Sequence, residues 1–117
     1  MPEHRPLELK PEHLAIVCRI LRKHVPDLEV WAFGSRARGA AKPYSDLDLA
    51  ILTVRPLDLA VSAAMEEDFS ESDLPWKVDI VDWATTSEEF RRLIERDRVV
   101  VQGATGKAYP GTPSIES

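Results

Sequence analysis

Apolar residues at helical spacing alternate along this chain with short apolar runs of strand type, and that alternation limits the fold more than any other feature. Leu14, Val17, Cys18, Leu21 and Val25 recur three and four residues apart, between Pro11, which suits a first helical turn, and Pro26, which stops the helix. Glu29 to Phe33 is a buried strand dominated by Val30, Trp31 and Phe33, and it ends at Gly34. Ser35 can cap a helix whose first turn holds Arg36, Ala37 and Arg38, and Lys42 to Ser45 form a turn. Asp46 to Val54 is a second strand, broken by Pro56. Asp58 caps a helix running from Leu59 to about Phe69, with Val61, Met65 and Phe69 on one face. Lys77 to Trp83 is a third strand. Thr86 and Glu89 then make a capping box for a last helix, with Phe90, Leu93 and Ile94 facing inward. Val99 to Val101 is either a short edge strand or the end of that helix. The order predicts a small α/β (α+β) domain with helices packed on a sheet.

At 117 residues the chain is long enough for one domain, expected over residues 11–102. Residues 1–10, with two prolines and alternating charge, predict a mobile lead-in. Residues 103–117, rich in Gly, Pro, Ser and Thr, predict a flexible tail. Cys18 is the one cysteine, so an internal disulfide is excluded, which fits a reducing cytoplasm. No basic segment leads into an apolar one at the start, and no apolar run approaches the roughly 20 residues that span a bilayer. A cytoplasmic protein without membrane contact is therefore expected. The formal net charge is -5, with one local basic cluster at Arg36, Arg38 and Lys42. That balance disfavours nucleic acid as the main partner. It leaves room for a nucleotide held beside a metal ion.

Asp46 and Asp48 stand two apart at the head of a strand, so both carboxylates point one way while Leu47 and Leu49 point into the core. Adjacent carboxylates repel, and a hard divalent cation such as magnesium relieves that repulsion. An Asp-x-Asp pair alone is more often solvated and idle. Gly34-Ser35 adds a strand ending in glycine and opening a helix, where free backbone N–H groups converge on phosphate. The bland alternative there is a plain capped helix start. Arg36 and Arg38 bring positive charge nearby. Asp79 sits mid-strand between Val78 and Ile80, where a buried unpaired carboxylate needs a partner. A metal held by Asp46 and Asp48 would serve. Asp82, three residues on, faces the other way and lies near the strand end, where water can solvate it. The scattered His4, His13 and His24 lack metal-ligand spacing, and Trp76 and Trp83 suit core packing better than base stacking.

Three strings, Phe33-Gly34-Ser35-Arg36-Ala37-Arg38-Gly39, Ser45-Asp46-Leu47-Asp48-Leu49-Ala50-Ile51 and Val78-Asp79-Ile80-Val81-Asp82, carry a family resemblance. Over residues 11 to 101 or so the chain resembles the polymerase-β-type nucleotidyltransferase superfamily, and within it the minimal nucleotidyltransferases that act as antitoxins to HEPN-domain toxins. The resemblance implies a small mixed sheet in the nucleotidyltransferase fold. It implies that Asp46 and Asp48 hold two magnesium ions, with Asp79 on the catalytic side and a natural proton acceptor. Gly34 and Ser35 would cradle the triphosphate of ATP, with Arg36 and Arg38 as nucleotide-binding candidates. The implied reaction is in-line attack by an acceptor hydroxyl on the α-phosphorus, moving AMP to a tyrosine of a HEPN toxin in a hetero-oligomer. A small-molecule transferase and a contact-only antitoxin are the alternatives.

Overall fold

The computed structural model describes residues 7–104. Four helices and four strands alternate: α1 (Pro11–His24), β1 (Val30–Phe33), α2 (Ser35–Arg38), β2 (Leu47–Ile51), α3 (Leu59–Ser70), β3 (Val78–Asp82), α4 (Glu88–Asp97) and β4 (Val99–Gln102), with a 3-10 turn at Trp83–Thr85. The strands form one sheet in the order β3-β2-β1-β4. β1 runs antiparallel to both β2 and β4, whereas β2 and β3 are parallel. Parallel neighbours cannot be joined by a tight hairpin, and α3 supplies the crossover between them.

The sheet has two unlike faces. Val30, Ala32, Leu47, Leu49 and Ile51 are fully buried on one face and belong to a single cluster with Val17 and Leu21 of α1 and Met65 and Phe69 of α3. Each such aliphatic side chain contributes roughly 1.5–3 kcal/mol by leaving water. Lys23 and His24 at the end of α1 also grip Asp68 of α3, at 3.0 Å and 2.6 Å. The other face carries a smaller cluster of Phe33, Ala50 and Ile94, with Trp31, Leu52, Val81 and Trp83 packed around it. α4 packs against β1 on this second face through Ile94.

Several local expectations shift. Within the expected lead-in, residues 7–10 are described: Leu7 is buried against the core and the Glu8 amide donates to the Arg36 carbonyl. Residues 1–6 and 105–117, which include most of the expected tail, lie outside the described residues. The second strand stops at Ile51, three residues early, because the Leu52–Leu57 stretch turns away after its first pairing with Glu29. Gly34, not Ser35, is the N-cap of α2, and no side chain caps it. Ser87, not Thr86, caps α4 by accepting from the Phe90 amide, while the Thr86 hydroxyl donates to the Asp82 carbonyl. Within α4 only Ile94 is buried; Phe90 and Leu93 remain 38% and 37% exposed, although the Phe90 ring meets Phe33 edge-on. Val99–Gln102 is an edge strand.

Candidate active site

The antiparallel pairing of β1 and β2 sets the end of one strand beside the start of the other, so Phe33 pairs with Asp48. Gly34 therefore arrives directly against the Asp48 carboxylate. Its φ is 81°, a left-handed conformation that favours glycine. A Cβ at this position would also collide with Asp48 Oδ2. Two independent constraints thus call for glycine at one residue. Ser35 follows, half-exposed, in the first turn of α2.

The parallel pairing of β2 and β3 sets Asp48 opposite Asp79. Asp46 lies just before β2, two residues from Asp48, and is near enough for its charge to act on the Asp48 carboxyl. Leu47 and Leu49, between and beyond them, have no exposed surface and point to the opposite side. Asp48 is half-buried, while Asp46 and Asp79 are exposed. Burial first, then the charges of Asp79 and Asp46, push the Asp48 carboxyl up to about 6. Among the described residues no ion pair reaches any of the three carboxylates.

That donor set fits a hard divalent cation. Three oxygen-bearing side chains cluster on one face, and their mutual repulsion is what positive charge would relieve. Among the described residues no three acidic, His or Cys side chains close into a ready-made cage. Magnesium does not require one, because one or two carboxylates suffice when water and phosphate complete its shell.

The expected contrast between Asp79 and Asp82 is reversed. Asp79 is exposed, so its candidacy rests on facing Asp48 and not on a cost of burial. Asp82, expected to be solvated, is instead held by the Thr53 hydroxyl, the Leu57 amide at 2.7 Å and the Ala84 amide at 3.3 Å. It pairs with Ile51 on the core-facing side and ties the loop after β2 to the end of β3.

Arg36 is not available to a phosphate. It is 6% exposed, and its Nε, Nη1 and Nη2 donate to the backbone carbonyls of Ser45, Glu8, Lys42 and Pro43. Its acceptors lie six, seven and nine residues ahead and 28 residues behind, a spacing that no helix or strand pattern marks. Arg38 is exposed and reaches Asp97 at 3.4 Å. Trp76 is buried beneath Arg36, and Trp83 packs against Trp31 and Arg91, as core and rim residues.

A strand–glycine–serine–helix corner set against paired carboxylates is the arrangement expected from the motifs, and a family model described as "Nucleotidyltransferase domain" matches residues 14–104. The chain belongs to the nucleotidyltransferase family. This nucleotidyltransferase is 59% identical over 96 residues to a Haemophilus influenzae protein named "Probable protein adenylyltransferase MntA", covering 82% of this chain and 84% of the relative. Its fold is similar to that of a toxin–antitoxin crystal structure with AMP-PNP, at a TM-score of 0.66 and 25% identity over 77% of this chain and 73% of that one. It also resembles a complex of tri-AMPylated HEPN toxin with MNT antitoxin from Shewanella oneidensis, at a TM-score of 0.61 and 22% identity over 80% and 73% of the chains; that likeness concerns the fold alone. The small mixed sheet expected from the sequence is the nucleotidyltransferase fold.

Proposed function

We propose that this nucleotidyltransferase transfers AMP from ATP to a tyrosine hydroxyl of a HEPN-domain toxin, and thereby acts as its antitoxin. The observation that carries the transferase chemistry is the contact of Gly34 with Asp48, opposite Asp79. The 59% identity to a protein named as an adenylyltransferase supports a protein acceptor. The cytoplasm, where ATP and such an acceptor meet, belongs to the same proposal. Among the described residues no helix is long and apolar enough to cross a membrane.

Asp46, Asp48 and Asp79 would hold magnesium, with two ions expected. Bound there, the metal supplies positive charge to the phosphate oxygens. Gly34 presents bare backbone at the end of β1, so a triphosphate can approach without meeting a side chain, and Ser35 offers a hydroxyl donor beside it. Arg38, on the open side of α2, is the remaining cationic candidate for the phosphates. Asp79 is exposed on β3, an edge strand of the sheet, and takes the proton from the acceptor hydroxyl. The hydroxyl oxygen forms a bond to the α-phosphorus, the α–β phosphoanhydride bond breaks, and pyrophosphate leaves with the electron pair.

The test is intact-mass spectrometry of the cognate HEPN protein mixed with this chain, ATP and magnesium. A gain of one or more AMP units, lost with Asp46→Asn, is the expected result. Binding without a mass change would overturn the transfer and favour neutralisation by contact. Absence of binding would point to a small-molecule acceptor.

A further inference from the structure

We infer that Arg36 is a positioning residue for the carboxylate cluster: one buried guanidinium joins the segments that carry Ser35, Asp46 and Asp79. The inference rests on the metal-binding assignment of those carboxylates proposed above.

Arg36 follows Ser35 directly in α2. Its Nε donates to the Ser45 carbonyl at 2.9 Å, which is the peptide group leading into Asp46. Its Nη2 holds the carbonyls of Pro43 at 3.1 Å and Lys42 at 3.4 Å in the same turn. The turn is also closed on itself, since the Ser45 amide donates to the Lys42 carbonyl and the Ser45 hydroxyl accepts from the Lys42 amide. Nη1 reaches the Glu8 carbonyl at 2.8 Å, and the Glu8 amide returns a bond to the Arg36 carbonyl, so the N-terminal segment closes the far side. The guanidinium lies over the Trp76 ring, 4.5 Å from its centre. Trp76 stands just before β3, and the Lys77 carbonyl accepts from the amide of Leu47, the residue between Asp46 and Asp48.

Only an arginine suits this work. A planar fork with five N–H donors can meet four carbonyls in its plane while its face stacks on an indole. A lysine ammonium keeps the charge but has three donors on one atom and no plane to stack. Asp46 is itself exposed, and among the described residues its side chain has no hydrogen-bond partner, so the preceding backbone is what sets its position. Burial lowers the Arg36 pKa, while the charges of Glu8 and Asp46 act to raise it.

The experiment compares the full chain with Arg36→Lys, Arg36→Gln and Asp46→Asn. Each is checked for folding by circular dichroism and thermal unfolding, then titrated with Mn2+ at low temperature by electron paramagnetic resonance, without nucleotide or acceptor. Adenylyl transfer is measured separately for its Mg2+ requirement and its KM for ATP. The folded Arg36→Lys variant is expected to bind Mn2+ at least tenfold more weakly. It should also need correspondingly more Mg2+ for transfer, and Arg36→Gln should behave no better. Unchanged Mn2+ affinity in a folded Arg36→Lys protein overturns the positioning role and leaves Arg36 a stabilising residue. Normal Mn2+ affinity with a raised KM for ATP, rescued by lysine, overturns it in favour of direct phosphate contact. If the unsubstituted chain binds no Mn2+ and transfers nothing, the metal-site assignment falls and the positioning role with it, a pattern distinct from both.

Discussion

Replacing Asp48 by asparagine should make the metal-free protein more stable while removing its activity. Asp48 is half-buried, faces Asp79, and has its carboxyl pushed up to about 6 from an ordinary 3.8. A tenfold change in proton affinity corresponds to about 1.4 kcal/mol, so the whole displacement would be worth about 3 kcal/mol. Solvent reaches part of the group, and screening reduces the expected figure to about 1–2 kcal/mol. The sign follows from linkage: a folded-state pKa above the unfolded one means the native state holds the proton more tightly. The native protein is therefore unpenalised below pH 3.8 and loses stability as pH rises through about 6. Asparagine carries no charge and escapes that loss. In EDTA at pH 7.5 the Asp48→Asn protein should melt roughly 3–12 °C higher, given about 3–6 °C per kcal/mol at this size. The gain should shrink through the window from pH 6 to pH 4. Magnesium should raise the melting temperature of the unsubstituted protein and leave the variant unchanged, since binding to the native state alone stabilises it. A variant that melts lower than the parent at pH 7.5, or a gain independent of pH, would refute the account of Asp48 as one of a set of mutually repelling carboxylates.

Gly34→Ala should cost about 1–3 kcal/mol, because φ 81° with ψ -159° is a backbone conformation essentially confined to glycine. The new methyl also displaces Asp48 Oδ2, so Mn2+ binding should be lost in a protein that still folds; intact binding would contradict the close approach. Ser35→Ala removes a hydroxyl without disturbing a cap, because Gly34 fills the N-cap of α2. It should raise the KM for ATP about tenfold or more, the weight of a hydrogen bond to a charged group, with no change in melting temperature. Asp82→Ala strips partners from the Thr53 hydroxyl and from the Leu57 and Ala84 amides. A loss of about 1–3 kcal/mol is expected by chemical denaturation. Transfer in the folded fraction should persist, and its disappearance would mean that Asp82 belongs to the site.

Local periodicity was enough to reveal much of this protein. The spacing of Leu14, Val17, Cys18 and Leu21 marks the buried face of α1, and all four are buried. Alternation along β2 separates Asp48 from Leu47 and Leu49 without any knowledge of neighbouring strands, because a strand turns every second side chain the same way. The glycine–serine corner and the Asp-x-Asp pair were legible for the same reason, as short patterns with a local physical meaning. Cap positions were less so: Thr86 and Ser87 both carry a suitable hydroxyl, and the choice fell to Ser87 because Thr86 is drawn to the Asp82 carbonyl.

What the chain could not declare locally is pairing across distance. That Gly34 lies on Asp48, and that Asp48 faces Asp79, depends on β2 standing between β1 and β3, one neighbour antiparallel and the other parallel. Asp79 and Asp82 look alike in sequence, yet one stays exposed in the site and the other is locked by three donors from residues 53–57 and 84. Arg36 is the clearest case. Beside Ser35 it reads as a phosphate ligand, but its guanidinium is drawn inward by carbonyls at Glu8 and along Lys42–Ser45. A buried arginine must satisfy its donors wherever acceptors converge, and only the folded chain determines where that is.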